Sequence, residues 1–177
     1  MTTRSSRRPS RRKWRRWASS KPAHLIVTKP SACAGGFVFP HLCTMERKWI
    51  AVASGLMLIA VAFGAFGAHG LKARLSPEAL AQWRTGVEYQ FIHALGILLL
   101  STLTGRFDPS AMRWACRAFL GGVVLFSGSL YLLSTRELIG APGLGAIVGP
   151  VTPLGGLLFM VGWAVLLITA LKPTDRG

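Results

Sequence analysis

Four stretches of the chain are apolar over lengths that suit a lipid bilayer, and the polar positions gather at their ends or between them. Residues 49–68 read WIAVASGLMLIAVAFGAFGA without a charge. Residues 87–103 open on Glu88, Tyr89 and Gln90 and then become IHALGILLLSTL. Residues 118–133 read AFLGGVVLFSGSLYLL, and residues 151–171 read VTPLGGLLFMVGWAVLLITAL. A helix rises about 1.5 Å per residue, so some twenty residues cover about 30 Å of hydrocarbon. Lipid satisfies no backbone polar group, which leaves helices or closed barrels. None of the four runs alternates with the period of two that barrel strands require. The pattern predicts an all-α membrane protein, a bundle of four transmembrane helices.

Between the first two runs, Ser76-Pro77-Glu78 has the makeup of a helix start: a capping hydroxyl, a proline for the first turn and an acid beside the positive helix end. Leu80, Trp83 and Val87 follow at spacings of three and four, on one face. This predicts a short interfacial helix before span two that feeds directly into it, with Trp83 at headgroup depth.

Composition sharpens the picture. Of 177 residues 51% are hydrophobic and 15% charged, against about 25% charged in ordinary soluble domains. The net charge of +15 would suggest a nucleic-acid partner if it were spread along the chain, but it is not. Residues 1–44 hold ten basic residues and no acid, which leaves eleven basic and six acidic for the remainder. The basic arm over residues 1–44 is predicted to be disordered. Its apolar stretch is too short for an export signal, and Met45-Glu46-Arg47-Lys48 has the form of a natural start. Residues 45–174 form the membrane domain. The expected partner is the lipid bilayer, with no nucleic acid, and an oligomer or a membrane-protein partner is open.

Basic residues flanking the spans set orientation. With Met45 inside, the inner side carries Arg47, Lys48, Arg106, Arg113, Arg117, Lys172 and Arg176, and the outer side Lys72, Arg74, Arg84 and Arg136. Both termini are expected in the cytoplasm of a bacterium, with the chain in its inner membrane. The three cysteines, Cys33, Cys43 and Cys116, form no CxxC pair, so neither a disulfide framework nor a thiolate metal site is expected. Cys116 reads as part of a basic loop between Arg113 and Arg117.

In this topology the unusual polar residues converge on the outer half. His69 lies at the end of span one; Glu88, Tyr89, Gln90 and His93 at the start of span two; Tyr131 with Ser127 and Ser129 late in span three; and Thr152 between two prolines at the start of span four. Ionisable groups in an apolar run are costly unless paired, hydrated or used. Tyr89 and His93 share a helix face, and His69 is placed to pair with Glu88 across the helix interface. The cluster is either a polar clamp between helices or a proton-handling or ligand-binding site. No third ligand pattern accompanies the histidines, so no metal and no haem or other cofactor is expected. Ala60, Gly64 and Ala68 recur every four residues, a spacing that lets membrane helices pack closely.

The segments GAFGAHGL (64–71), YQFIHALGILL (89–99), FSGSLYLL (126–133) and GPVTPLGGLLFMVGW (149–163) carry a resemblance. In order and spacing, residues 45–174 resemble the domain-of-unknown-function 423 family, the YgdD-like and transmembrane protein 256-like small inner-membrane proteins. The resemblance implies a four-span inner-membrane protein and supplies no catalytic assignment. The residues themselves show no nucleotide loop, metal signature or complete nucleophile–base set. The leading expectation is therefore a non-enzymatic accessory or structural component of the membrane. A small oligomeric transporter or channel with an outward-facing polar site is the alternative. A membrane enzyme acting on lipid or quinone, with His69 or His93 as base, is the third.

Overall fold

The computed structural model describes residues 40–103 and 107–172, with side chains from residue 47 onward, and their regular structure is helical. Helix α1 (Pro40–Phe66) runs into a π-helical turn, Gly67–Leu71. Helix α2 spans Pro77–Thr102. Helix α3 (Pro109–Gly122) passes through a second π-helical turn, Val123–Ser127, into α4 (Gly128–Thr135). A short α5 (Leu144–Val148) leads into α6 (Val151–Leu171). The basic arm lies outside the described residues except for positions 40–44, which are the first residues of α1.

Among the described residues, three rods are long and apolar enough to cross a membrane: Arg47–Leu71, Pro109–Thr135 and Leu144–Leu171. Helix α2 has the length, at 26 residues, but Glu88, Gln90 and His93 interrupt its apolar run and leave it less apolar than the other three.

Two expectations change. The helix expected to feed into span two runs into it without a break, Pro77 to Thr102 being one continuous helix, but Trp83 is not at a headgroup surface. Its start is as expected, with the Ser76 hydroxyl accepting from the Ala79 amide at 3.2 Å. The exposed Glu78 carboxyl is held below its ordinary pKa by its backbone hydrogen bond and by the Ser76 hydroxyl. Leu80, Trp83 and Val87 do share a face, but it packs inward on Leu71, and Trp83 is buried in protein. The third run also begins earlier than residue 118. The Asp108 carboxylate caps the amides of Ser110 and Ala111, Pro109 fits the first turn, and the stretch read as a basic loop is α3. Arg117 stays on the outside of that helix, over the exposed Trp114 ring, whereas Cys116 is buried in the core. Spacing of the charges at 113 and 117, one turn apart, leaves the opposite face apolar.

Helix α2 is the centre of the assembly. It packs against α1 on one side and against α3, the second π turn and α4 on the other, while α6 packs on α3 and that π turn. Contact between α1 and α6 is slight or absent. Two rings lock the second half together. Phe119 fills the space over Gly96 of α2 and Gly162 of α6, and Phe159 of α6 fills the space over Gly122 of α3. A Cβ at Gly122 or Gly162 would come within 2.4 Å of those rings. At Gly155 a Cβ would lie 2.3 Å from the Phe126 backbone nitrogen, so α6 passes directly over the π turn. Small residues set these approaches, as in other membrane helices, where close packing replaces the hydrophobic effect as the driving force.

Candidate functional site

The polar residues of α2 divide by helix geometry. Successive residues rotate by about 100°, so Gln90 and His93 face the bundle while Glu88, about 200° from Gln90, faces away. Gln90 is buried and bridges two neighbours: its amide nitrogen donates to the Leu56 carbonyl of α1 at 2.8 Å, and its carbonyl oxygen accepts from the Tyr131 hydroxyl of α4 at 2.9 Å. One side chain thus joins three helices. Tyr131 reaches this position because Gly86 leaves room for its ring, and it packs on Trp83 and edge-on to Phe63. Trp83 in turn donates its indole N–H to the Phe63 carbonyl at 2.9 Å and lies over Gly67, where a Cβ would come within 2.7 Å.

His93 is the second pin. Its Nδ1 is 2.8 Å from the Tyr89 carbonyl and its Nε2 is 3.2 Å from the Trp163 indole nitrogen of α6. A carbonyl only accepts and an indole N–H only donates. The two partners therefore fix the tautomer: Nδ1 carries the proton and Nε2 accepts. The ring stacks on Phe159 with centroids 3.5 Å apart and meets the Phe119 edge. A third bridge joins α4 to α6, where Ser129 and Thr152 hydroxyls lie 2.7 Å apart and Ser129 also donates to the Phe126 carbonyl.

The sequence-selected residues thus separate into two sets. Gln90, His93, Tyr131 and Thr152 form interhelical bonds. Tyr89 supplies a carbonyl to His93 while its ring stacks near Phe126 and Phe159 at the rim of an open groove of about 650 Å³ between α2 and α6. His69 and Glu88 are both exposed and do not pair with each other. The expected clamp between spans one and two is made instead by Gln90. On α1, Ala60 is fully buried and Gly64 faces Val87, but Ala68, in the π turn that follows, is exposed. The buried small residues are Ala53, Ala60 and Gly67, seven apart, a period more telling than the one chosen. Trp163 is the bonding residue that the sequence reading leaves out; an indole needs a partner for its N–H when buried, and that is the signal it carries.

The family described as "Protein of unknown function (DUF423)" matches residues 63–156, a span that contains every one of these interhelical bonds except the Leu56 acceptor and Trp163. The chain belongs to the DUF423 family. It is similar to the UPF0382 membrane protein YwdK of Bacillus subtilis, 39% identical over 116 residues covering 65% of this chain and 89% of the relative. It is also similar to the UPF0382 inner membrane protein YgdD of Escherichia coli, 38% identical over 119 residues, covering 67% and 86%. A UPF0382 membrane protein of Haemophilus influenzae is 34% identical over 128 residues, covering 72% and 97%. No solved structure matches the chain. This DUF423 member is a small helical membrane protein of an uncharacterised family.

The Gln90 bridge makes a testable statement about coupling. Replacing Gln90 by Leu strands the Tyr131 hydroxyl, and Tyr131→Phe strands the Gln90 carbonyl, each costing about 1–3 kcal/mol. The double variant removes both orphaned groups and should cost clearly less than the sum. Thermal unfolding of the four proteins in detergent measures this, and strictly additive losses would show that the two side chains do not bond.

Proposed function

We propose that this DUF423 protein is a non-enzymatic accessory component of the bacterial cytoplasmic membrane that docks a membrane-embedded partner on α2. The chain crosses the bilayer four times, α2 being the fourth crossing helix, with both termini in the cytoplasm and the first turns of α2 near the outer surface. The observation that carries the reading is the destination of the buried polar groups. Gln90, His93, Tyr131, Ser129 and Thr152 each make a hydrogen bond to another helix, which supports an architectural role, and among the described residues no interior acid–base pair is left free for transport or chemistry. Those bonds also make α2 tolerable in lipid, because a polar group that has a partner loses most of its desolvation cost.

What remains open is one face of α2. Glu88, Ile92, Leu95 and Leu99 fall at spacings of four, three and four, and all are exposed. Helices α1 and α6 stand on either side without closing over them. A face that is apolar but carries an acid suits another helix better than lipid tails alone.

Two measurements check this reading. Single cysteines at Lys72 and Glu137 in intact cells should react with an impermeant maleimide, and those at Ser110 and Lys172 should not. Labelling of positions 72 and 110 from the same side would show that α2 does not cross. A photo-crosslinking residue at Leu95 should give a protein adduct, and the same residue at the equally exposed Val124 should not. Lipid adducts alone at Leu95 would remove the docking face.

A further inference from the structure

Beside the exposed stripe of α2 lies a groove of about 480 Å³ between α1 and α2, floored by Gly64, Gly67 and Ala68 and walled by Val87 and Phe91. Two charged side chains, Arg84 and Glu88, stand at its edge. Both are exposed, and among the described residues neither is held in an ion pair or hydrogen bond. They are one helical turn apart on the same helix, but the cation precedes the acid, the weaker of the two orders for an intrahelical pair. Glu88 is the second residue of the apolar run 87–103, and a carboxylate at the edge of the hydrocarbon gains from a counter-charge.

We propose that the occupant of this face is a second copy of the same chain, which packs its α2 against this α2 about a two-fold axis along the membrane normal. This rests on the docking-face reading above and names its partner. Two-fold symmetry places the same patch on both copies with each residue level with its own counterpart, and the long Arg84 side chain reaches diagonally, over about 6 Å of helix rise, to Glu88 of the other copy, so that two symmetry-related pairs neutralise each charge once. Ile92, Leu95 and Leu99 supply the apolar contact below them. The order of the charges disfavours a zwitterionic lipid as occupant. From the surface inward a phospholipid with an amino headgroup presents cation, phosphate and chains, whereas the groove presents Arg84 first and Glu88 deeper.

The test uses two differently tagged copies of the full chain, co-expressed and extracted with their native lipids, and reads the fraction of one tag recovered with the other. Wild-type copies should associate. Arg84→Glu alone sets acid against acid in both cross-pairs, and Glu88→Arg alone sets cation against cation. Each should lower recovery about tenfold, a loss of roughly 1.4 kcal/mol. Co-expressing the Arg84→Glu copy with the Glu88→Arg copy restores both cross-pairs between unlike copies, and recovery should return toward the wild-type fraction. Pairing within one chain predicts no such rescue, because each variant remains like-charged along its own helix. Monodisperse elution of every variant guards against loss of fold. Failure of wild-type copies to associate, indifference to the single substitutions, or absence of rescue overturns the proposal. An adduct at Leu95 with a mass other than twice the chain would overturn the second copy while leaving the docking face standing.

Discussion

A glutamine amide has a donor end and an acceptor end, and in a bundle of apolar helices it can satisfy both only where two different neighbours come to it. Gln90 occupies such a place. Once its nitrogen is committed to the Leu56 carbonyl and its oxygen to the Tyr131 hydroxyl, the rotation of α2 about its axis is fixed. His93, three residues on, is then turned toward α6 and Trp163, while Glu88 is turned out of the bundle. The most polar helix becomes the central one because it is the helix with most to gain from neighbours. Buried polar groups left without partners would cost several kcal/mol each in lipid, and only the centre of the assembly offers partners on more than one side.

Packing follows the same logic. The bulky groups that approach α2 and its neighbours, Tyr131, Trp83 and Phe119, each need a glycine opposite: Gly86, Gly67 and Gly96. The two π turns fall where these approaches are tightest. Gly67 begins the first, and Gly155 presses on Phe126 within the second. Such turns are often found where a helix must admit a neighbour or serve a site. Ser127, in the second turn, is the one side chain whose hydroxyl is buried without a hydrogen-bond partner among the described residues.

Much of this was legible in the sequence, for identifiable reasons. Three charge-free runs announced three rods because length and apolarity are sufficient there. The Ser76-Pro77-Glu78 start was legible because capping is local chemistry. That this start runs directly into span two was legible as well, since nothing in the sequence breaks the helix between Trp83 and Glu88; that Trp83 turns inward was not, because only packing shows it. Likewise the position of Cys116 within α3 escaped a reading that weighed Arg113 and Arg117 as a loop rather than as one face of a helix. The polar cluster was found as a set, yet its wiring was not. Whether Glu88 or Gln90 faces inward depends on the rotation of α2 relative to α1 and α4, a tertiary quantity, and the expected pairing of His69 with Glu88 assumed the wrong face.

The account rests on the polar side chains of α2 being structural ties with fixed partners. The most direct measurement is nitrogen NMR of histidine-labelled protein in lipid bilayers. The account predicts that His93 carries its proton on Nδ1, and that Trp163→Phe shifts the unprotonated Nε2 signal. A ring protonated on Nε2, or a signal indifferent to Trp163→Phe, would contradict it.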